Sequence, residues 1–255
     1  MRRLTLILLE LYAVVSLYVL LRAILELPFQ ILPAILLSLL AFSFALFHAG
    51  LREGWRRAFL FLGLTVTISF LFEGIGVTTG WLFGAYHYTE DFGPRIFNLV
   101  PYLIPVNWFM MLYPSYVMAV LILPAQSSRW KRWLGVAAVG GLIMTAWDLA
   151  MDPVMVARGH WVWESDGAYF GIPIQNYLGW WVTSFTILAI YGLLRQRWSE
   201  RGPHPDIHFD RQAIGCYAIT GFGSVLGALL AGLNGAALAG FFAMLPWVLV
   251  SRIER

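Results

Sequence analysis

The chain has 255 residues, of which 60% are hydrophobic and only 12% are charged, and its formal net charge is +3. Both fractions lie far from those of soluble domains, so the composition excludes an ordinary water-soluble protein. The single cysteine, Cys216, excludes an internal disulfide and a cysteine-based metal site.

The apolar residues form long continuous runs, without the period-two alternation of membrane β-strands. Backbone groups in hydrocarbon must bond within their own segment or around a closed barrel, so these runs predict helices. The first run carries Glu10 and lacks a small-x-small cleavage site, which favours a transmembrane span over a signal peptide. The predicted spans are Leu4–Leu21, Ile31–Phe47, Ala58–Phe72, Pro105–Leu123, Leu134–Met151, Tyr177–Leu194, Ala213–Ala231 and Ala236–Val250. The expected fold is an all-α polytopic transmembrane bundle of about eight helices, forming one integral-membrane domain over residues 1–255.

The distribution of Lys and Arg predicts the orientation, because cytoplasmic loops are enriched in both. Of the 17 basic residues, 14 fall on the side of the N-terminus, and only Arg22, Arg95 and Arg158 fall on the other. Both termini are therefore expected to be cytoplasmic, in a multi-pass protein of the cell membrane. The positive net charge then follows from membrane topology and does not indicate nucleic-acid binding.

Two long segments on the predicted outer side, residues 73–100 and 152–176, are rich in glycine and aromatic residues. One interpretation is an aromatic belt at the depth of the lipid headgroups. The four glycines between Glu73 and Gly84 also allow a backbone that bends around a buried site. A flexible loop with a solvated Glu73 is the alternative.

Three carboxylates near this side are candidates for chemistry, since an ionisable group inside a span costs about 2.5–3.5 kcal/mol. They are Glu73, Asp148 and Asp152. Asp148 and Asp152 are four residues apart and would share one helix face, where one of two neighbouring carboxyls is expected to keep a proton. Such an acid can donate a proton. For Asp152, which precedes Pro153, ordinary helix-end chemistry is the alternative.

Polar and aromatic residues at the starts of the fourth and sixth spans would lie on the same side. The predicted pocket is bordered by Glu73, Asn107, Asp148, Asp152 and Asn176, with Trp147 and Trp180 as walls. Helix capping is the alternative use of Asn107 and Asn176.

The sequence lacks residues that several classes of membrane protein require. The five histidines are too few and too scattered for a membrane di-iron hydroxylase, and the only lysine, Lys131, lies in a predicted cytoplasmic loop where it cannot bind retinal. The sequence has no Asp-x-x-Asp pair for magnesium diphosphate and no P-loop or dinucleotide motif. No metal and no cofactor are expected.

Four motif blocks within residues 70–181 carry a family resemblance. They are Phe72-Glu73-Gly74-x-Gly76 through Gly84-x-Tyr86-x-Tyr88, Pro105-x-x-Trp108 to Tyr113, Trp147-Asp148-x-x-x-Asp152-Pro153, and Gly171-x-Pro173-x-x-Asn176-Tyr177-x-Gly179-Trp180. Together they resemble the integral-membrane carotenoid biosynthesis proteins, which include bacterial carotenoid 1,2-type hydratases and the bisanhydrobacterioruberin hydratases of halophilic archaea.

The resemblance implies cofactor-free addition of water across the terminal C=C of an acyclic carotenoid, giving a tertiary alcohol. The expected partners are this lipid-soluble substrate, water and membrane lipid. Protonated Asp148 or Glu73 would be the general acid, and Asp152 would orient and deprotonate the water.

Six residues form the predicted substrate-binding set. Trp147 and Trp180 would stabilise the cation with their π faces, and Asn176 would hold the water. Tyr86, Asn107 and Trp108 would contact the substrate. A non-catalytic carotenoid-binding protein and a proton-coupled transporter remain alternatives, although the carboxylates trace no path across the membrane.

Overall fold

A computed structural model describes residues 2–28, 30–90, 93–124, 128–195 and 206–253. The helices in these ranges are α1 (Arg2–Ile24), α2 (Ile31–Glu53), α3 (Trp55–Thr79), α4 (Leu103–Ile122), α5 (Arg129–Ala157), α6 (Ile174–Leu194), α7 (Ile207–Leu230) and α8 (Asn234–Ser251). All eight are long and apolar enough to cross a membrane. The predicted all-α polytopic bundle of about eight helices is confirmed.

Four short strands lie in the two long loops: β1 (Tyr86–Tyr88), β2 (Arg95–Ile96), β3 (Val100–Pro101) and β4 (Trp161–Trp163). Strands β1 and β4 pair antiparallel, and so do β2 and β3. The first pair joins the loop after α3 to the loop after α5, so these two loops form one structured cap.

Side-chain contacts define the two ends of the bundle. Trp108, near the start of α4, contacts Glu73, near the end of α3, whereas Arg52, at the end of α2, pairs with Asp210, at the start of α7. Helices α1, α3, α5 and α7 all terminate on one side of the bundle, which we call the site end. The opposite side, where α1 begins, is the terminal end. The assignment of the terminal end to the cytoplasm stays a prediction.

Helices α3 and α5 extend beyond the predicted spans, to Thr79 and Ala157. Glu73 and Asp152 therefore lie inside helices and are only 5% and 1% exposed. The solvated loop position for Glu73 and the helix-end role for Asp152 were both wrong. Hydropathy marks the apolar stretch of a helix, and these helices continue into polar sequence that the cap covers.

Pro153 does not end α5, because the cap supplies the hydrogen bond that proline removes. Proline has no N–H, so the carbonyl of Leu149, four residues earlier, loses its helical donor. The Tyr169 hydroxyl donates to this carbonyl at 2.9 Å. Burial raises the pKa of Tyr169 to about 12, which keeps the hydroxyl protonated as a donor.

We expect Tyr169→Phe to lower the free energy of unfolding by about 1 kcal/mol, because it leaves the Leu149 carbonyl without this donor. Thermal unfolding of the purified protein in lipid nanodiscs measures the change. Tyr102→Phe is the control, since Tyr102 is 57% exposed. Equal melting temperatures for Tyr169→Phe and the unchanged protein would contradict this account of Pro153.

A buried cluster of charges, the terminal-end ion cluster, joins α2, α4, α6 and α7. Arg52 donates to both carboxylate oxygens of Asp210, at 2.7 and 3.0 Å, and also contacts Glu53. Glu53 accepts from Tyr116 at 2.9 Å and pairs with Arg195 at 2.8 Å. Each carboxylate therefore has an arginine partner, as buried charges require.

Candidate active site

The β1–β4 pair directs aromatic side chains at the carboxylates. Successive strand residues point to opposite faces, so Tyr86 and Tyr88 share the buried face of β1, while His87 is exposed. In β4, Trp161 and Trp163 lie opposite Tyr88 and Tyr86. The ribbon thus presents hydroxyl and indole donors to the end of the helical bundle.

Glu73 is surrounded by three donors. Its Oε2 accepts from the Tyr86 hydroxyl and, at 2.9 Å, from the Tyr88 hydroxyl, and its Oε1 accepts from Trp108 Nε1 at 2.9 Å. Burial raises the pKa of both tyrosines well above its usual value, and the Glu73 charge adds to this effect. Both hydroxyls therefore stay protonated and hold the Glu73 carboxylate in a fixed orientation.

Asp148 and Asp152 are joined through one amide. Asn176 Nδ2 donates to Asp148 Oδ2 at 3.2 Å and to Asp152 Oδ2 at 2.6 Å. Trp161 Nε1 donates to the other oxygen of Asp152 at 2.6 Å. Asp148 Oδ1 is buried and has no hydrogen-bond partner in the described part of the chain.

No lysine or arginine forms a salt bridge with Glu73, Asp148 or Asp152 among the described residues. Like charges that are buried close together without a cation cannot all ionise cheaply. The arrangement therefore favours a carboxyl that keeps its proton beside carboxylates that do not.

A cavity of about 560 Å³ opens onto this cluster, a size typical of small-molecule sites. Glu73, Asp152 and Asn176 line its polar wall. Three tryptophans line the adjacent wall: the Trp108 and Trp180 rings stack with centroids 4.3 Å apart, and Trp147 meets Trp180 edge-on at 6.0 Å.

The structure brings the predicted site residues together. Those that line the cavity are Glu73, Tyr86, Asn107, Trp108, Trp147, Asp152, Asn176 and Trp180. Asp148 does not line it and instead contacts Asn176 behind the wall. The alternative role of Asn107 and Asn176 as N-terminal caps of helices was wrong. Tyr102 is the N-cap residue of α4, and Pro173 is the N-cap residue of α6.

Sequence reasoning did not assign Tyr88, Trp161 or Trp163 to the site. The aromatic-belt interpretation fits exposed residues such as Trp81, which is 61% exposed, but Tyr88 and Trp161 are 5% and 7% exposed. The available signal was the spacing of two in Tyr-x-Tyr and Trp-x-Trp, which is the period of a strand with one buried face.

A close approach of the cap to α6 fixes the cavity wall. A Cβ at Gly179 would lie 2.5 Å from the Leu82 carbonyl oxygen and 2.6 Å from Phe83 Cδ1. Only glycine admits this contact. Phe83 is thereby packed beside β1, which begins three residues later.

No group of three or more His, Cys, Asp and Glu side chains in the described ranges is arranged to hold a metal ion. The carboxyl oxygens with partners in this site accept from O–H and N–H donors. These hydrogen bonds fix the carboxyl groups beside the aromatic cavity.

The fold and the site define a multi-pass membrane protein with buried carboxylic acids at the end of an aromatic cavity. The sequence model of the carotenoid biosynthesis protein family matches residues 29–246. Because this match covers most of the chain, the protein belongs to that family, and the predicted family resemblance is confirmed.

One curated relative is the bisanhydrobacterioruberin hydratase of Haloarcula japonica, which is 34% identical over 137 residues. The aligned region covers 53% of this chain and 45% of the relative, so the chain matches less than half of the relative's length. No solved structure matches the chain.

Proposed function

We propose that this protein is a carotenoid hydratase that adds water across the terminal C=C of an acyclic carotenoid and forms a tertiary alcohol. The observation that carries the proposal is the cluster of three buried carboxyl groups, without an arginine or lysine partner among the described residues, beside an aromatic cavity. Addition of water to an unactivated alkene needs an acid in an apolar site. The name of the Haloarcula japonica relative supports the same reaction.

Asp152 is the group that delivers the proton in this proposal, because it lines the cavity and Asp148 does not. The Asp148–Asp152 pair shares one proton through the geometry that Asn176 imposes. The alkene electron pair takes this proton at the less substituted carbon, forming a C–H bond and leaving a tertiary cation at the neighbouring carbon. Asp148 thus does not contact the alkene and acts through its coupling to Asp152.

The aromatic wall stabilises the cation. Trp108, Trp147 and Trp180 all line the cavity, and a desolvated contact between a cation and an open ring face is worth about 2 kcal/mol. The Glu73 carboxylate, held by three donors, adds a fixed negative charge.

Asn107 is the proposed partner of the reacting water. Its Oδ1 is buried and lacks a hydrogen-bond partner in the described structure, and the residue lines the cavity. Asn176, the residue predicted for this role, already uses its amide nitrogen on the two aspartates. The water oxygen bonds to the cationic carbon, and its surplus proton returns to the aspartate pair, directly or through Glu73, which regenerates the acid.

Expression in cells that accumulate lycopene tests the proposal. We expect a new pigment whose mass exceeds that of lycopene by one water molecule, detected by liquid chromatography and mass spectrometry, and absent with an empty vector. Acyclic carotenoids with longer chains are the second set of substrates. Unchanged pigments in both cases, with the protein present in the membrane, would reject the hydratase and favour pigment binding or proton-coupled transport.

A further inference from the structure

The cavity has a second part, the apolar arm, which is formed by α1, α2 and α7. It is lined by Tyr12, Ser16, Val19, Leu20 and Ala23 of α1, by Ala34, Ile35, Leu37 and Ser38 of α2, and by Ile219, Thr220, Gly223, Ser224, Gly227 and Leu230 of α7. None of these side chains is charged. The arm is continuous with the carboxyl site in the same cavity.

Helix α1 forms a full wall of the arm although the family match begins only at residue 29. Its lining positions recur every three or four residues from Tyr12 to Ala23, with Val19 and Leu20 adjacent, which places them on one helix face. This stripe runs about 16 Å along the helix axis at 1.5 Å per residue. The described part of the chain therefore adds its own wall to the cavity of the family core.

Four of the five hydroxyl groups of the arm, those of Tyr12, Ser16, Thr220 and Ser224, are already bonded within the protein. Tyr12 and Thr220 share a hydrogen bond of 2.7 Å, and Ser16 donates to the Tyr12 carbonyl at 2.7 Å. Ser224 accepts from Trp147 Nε1 at 2.9 Å and donates to the Thr220 carbonyl at 3.1 Å. Because these polar groups are satisfied, the arm favours an apolar occupant over a polar one.

We propose that the apolar arm holds the polyene chain next to the reacting end group, and that the α1 face sets which chains are accepted. This inference rests on the proposed hydratase function. The occupant is a long, uncharged isoprenoid chain, since the arm leads away from the carboxyls between aliphatic and small side chains. Leu20 of α1 and Gly223 of α7 are the specificity-determining positions.

A matched pair on α1 tests the proposal. Leu20 is half-buried and lines the arm, whereas Leu17 is 55% exposed and does not. We expect Leu20→Trp to lower hydration of lycopene about tenfold or more, relative to hydration of a short acyclic isoprenoid with the same terminal double bond. Leu17→Trp is expected to leave this ratio unchanged.

A second matched pair of variants, at two glycine positions, tests the same proposal without changing a side chain of α1. A Cβ at Gly223 would meet nothing within 4 Å, and the same holds for Gly63, which is exposed on α3 and does not line the cavity. Gly223→Leu therefore fills the arm without a backbone clash, while Gly63→Leu is the control. We expect Gly223→Leu to reduce the ratio in the same direction as Leu20→Trp.

The outcomes separate this inference from the proposed function. If the unchanged protein hydrates neither substrate, the hydratase proposal fails, and the amount of polyene that co-purifies with each variant then tests the arm directly by absorbance. The unchanged protein could hydrate both lycopene and the short isoprenoid. If the arm variants then hydrate the two substrates in the same ratio as the unchanged protein, the arm does not hold the chain. Equal loss on both substrates also overturns the inference, because it shows damage to the carboxyl site.

Discussion

Replacing Asp152 by asparagine is expected to lower the rate of carotenoid hydration by about 10²- to 10⁴-fold, the usual contribution of a general acid. Asparagine keeps the shape of the side chain and can accept a hydrogen bond from either Asn176 or Trp161, but it has no proton of sufficient acidity to give to an alkene. Pigment conversion in membranes that contain equal amounts of each protein measures the change. The cavity wall stays in place, so bound pigment is expected to persist.

Asp166→Asn is the matched control, since Asp166 is an exposed acid of the loop between α5 and α6. It is expected to act like the unchanged protein. Full hydration by Asp152→Asn would remove Asp152 from the role of acid and point to Glu73. Loss of bound pigment together with activity would indicate a damaged cavity, and Asp152 would then not be assigned by this variant.

Asp148→Asn separates the two aspartates. Asp148 lies behind the cavity wall and contacts the site through Asn176. If Asp148 acts through Asp152, its replacement leaves measurable hydration but changes the pH dependence of the rate, because the coupled pair becomes a single acid. Asp148→Asn could instead lose as much hydration activity as Asp152→Asn, with no change in the pH profile of the remaining activity. Asp148 would then be the proton donor, as the sequence predicted.

Replacing Glu53 by glutamine is expected to lower the free energy of unfolding by about 3–5 kcal/mol, because it leaves the buried Arg195 without its counter-charge and leaves Arg52 with Asp210 alone. Glu53 is 5% exposed and contacts Arg52 and Arg195 in the terminal-end ion cluster. Thermal unfolding in lipid nanodiscs measures the effect. The rate of hydration at a temperature where the variant is folded is expected to stay unchanged, because the cluster lies at the opposite end of the bundle from the cavity.

Glu90→Gln provides the comparison at the surface. Glu90 pairs with Arg95 at 3.2 Å, but its side chain is 98% exposed, so its replacement is expected to have no measurable effect. The double variant Glu53→Gln with Arg195→Gln is expected to be more stable than Glu53→Gln alone, and so to recover part of the lost stability. Equal melting temperatures of Glu53→Gln and the unchanged protein would show that the cluster contributes little.

The eight spans could be predicted from the sequence because the solvent itself constrains them. Hydrocarbon requires about 20 apolar residues per helix and internally satisfied backbone groups, and both requirements leave a local pattern in the sequence. The carboxylates stood out for the same reason, since Glu73, Asp148 and Asp152 are costly exceptions within that pattern. The motif blocks around them also gave the family.

The helix ends depended on contacts between segments far apart in the chain. Helix α5 continues past Pro153 because Tyr169 supplies a donor to the Leu149 carbonyl, and no window of local sequence contains that hydrogen bond. The cap has the same origin: β1 and β4 are three residues each and pair across a separation of about 75 positions. Short strands of this kind have weak local signals, so their aromatic residues resembled a lipid-facing belt.

The sequence by itself thus determined the membrane bundle, the family and most residues around the three carboxyl groups, since each rests on composition, periodicity or local motifs. Tertiary structure alone decided that Asp152 lies on the cavity wall and Asp148 behind it, because the two share a helix face and differ only in what distant segments place around them, such as Trp161 of β4 beside Asp152. It also decided that α1 borders the cavity. Neighbours in space that are distant in sequence are selected by packing, and packing leaves no periodic trace in a single chain.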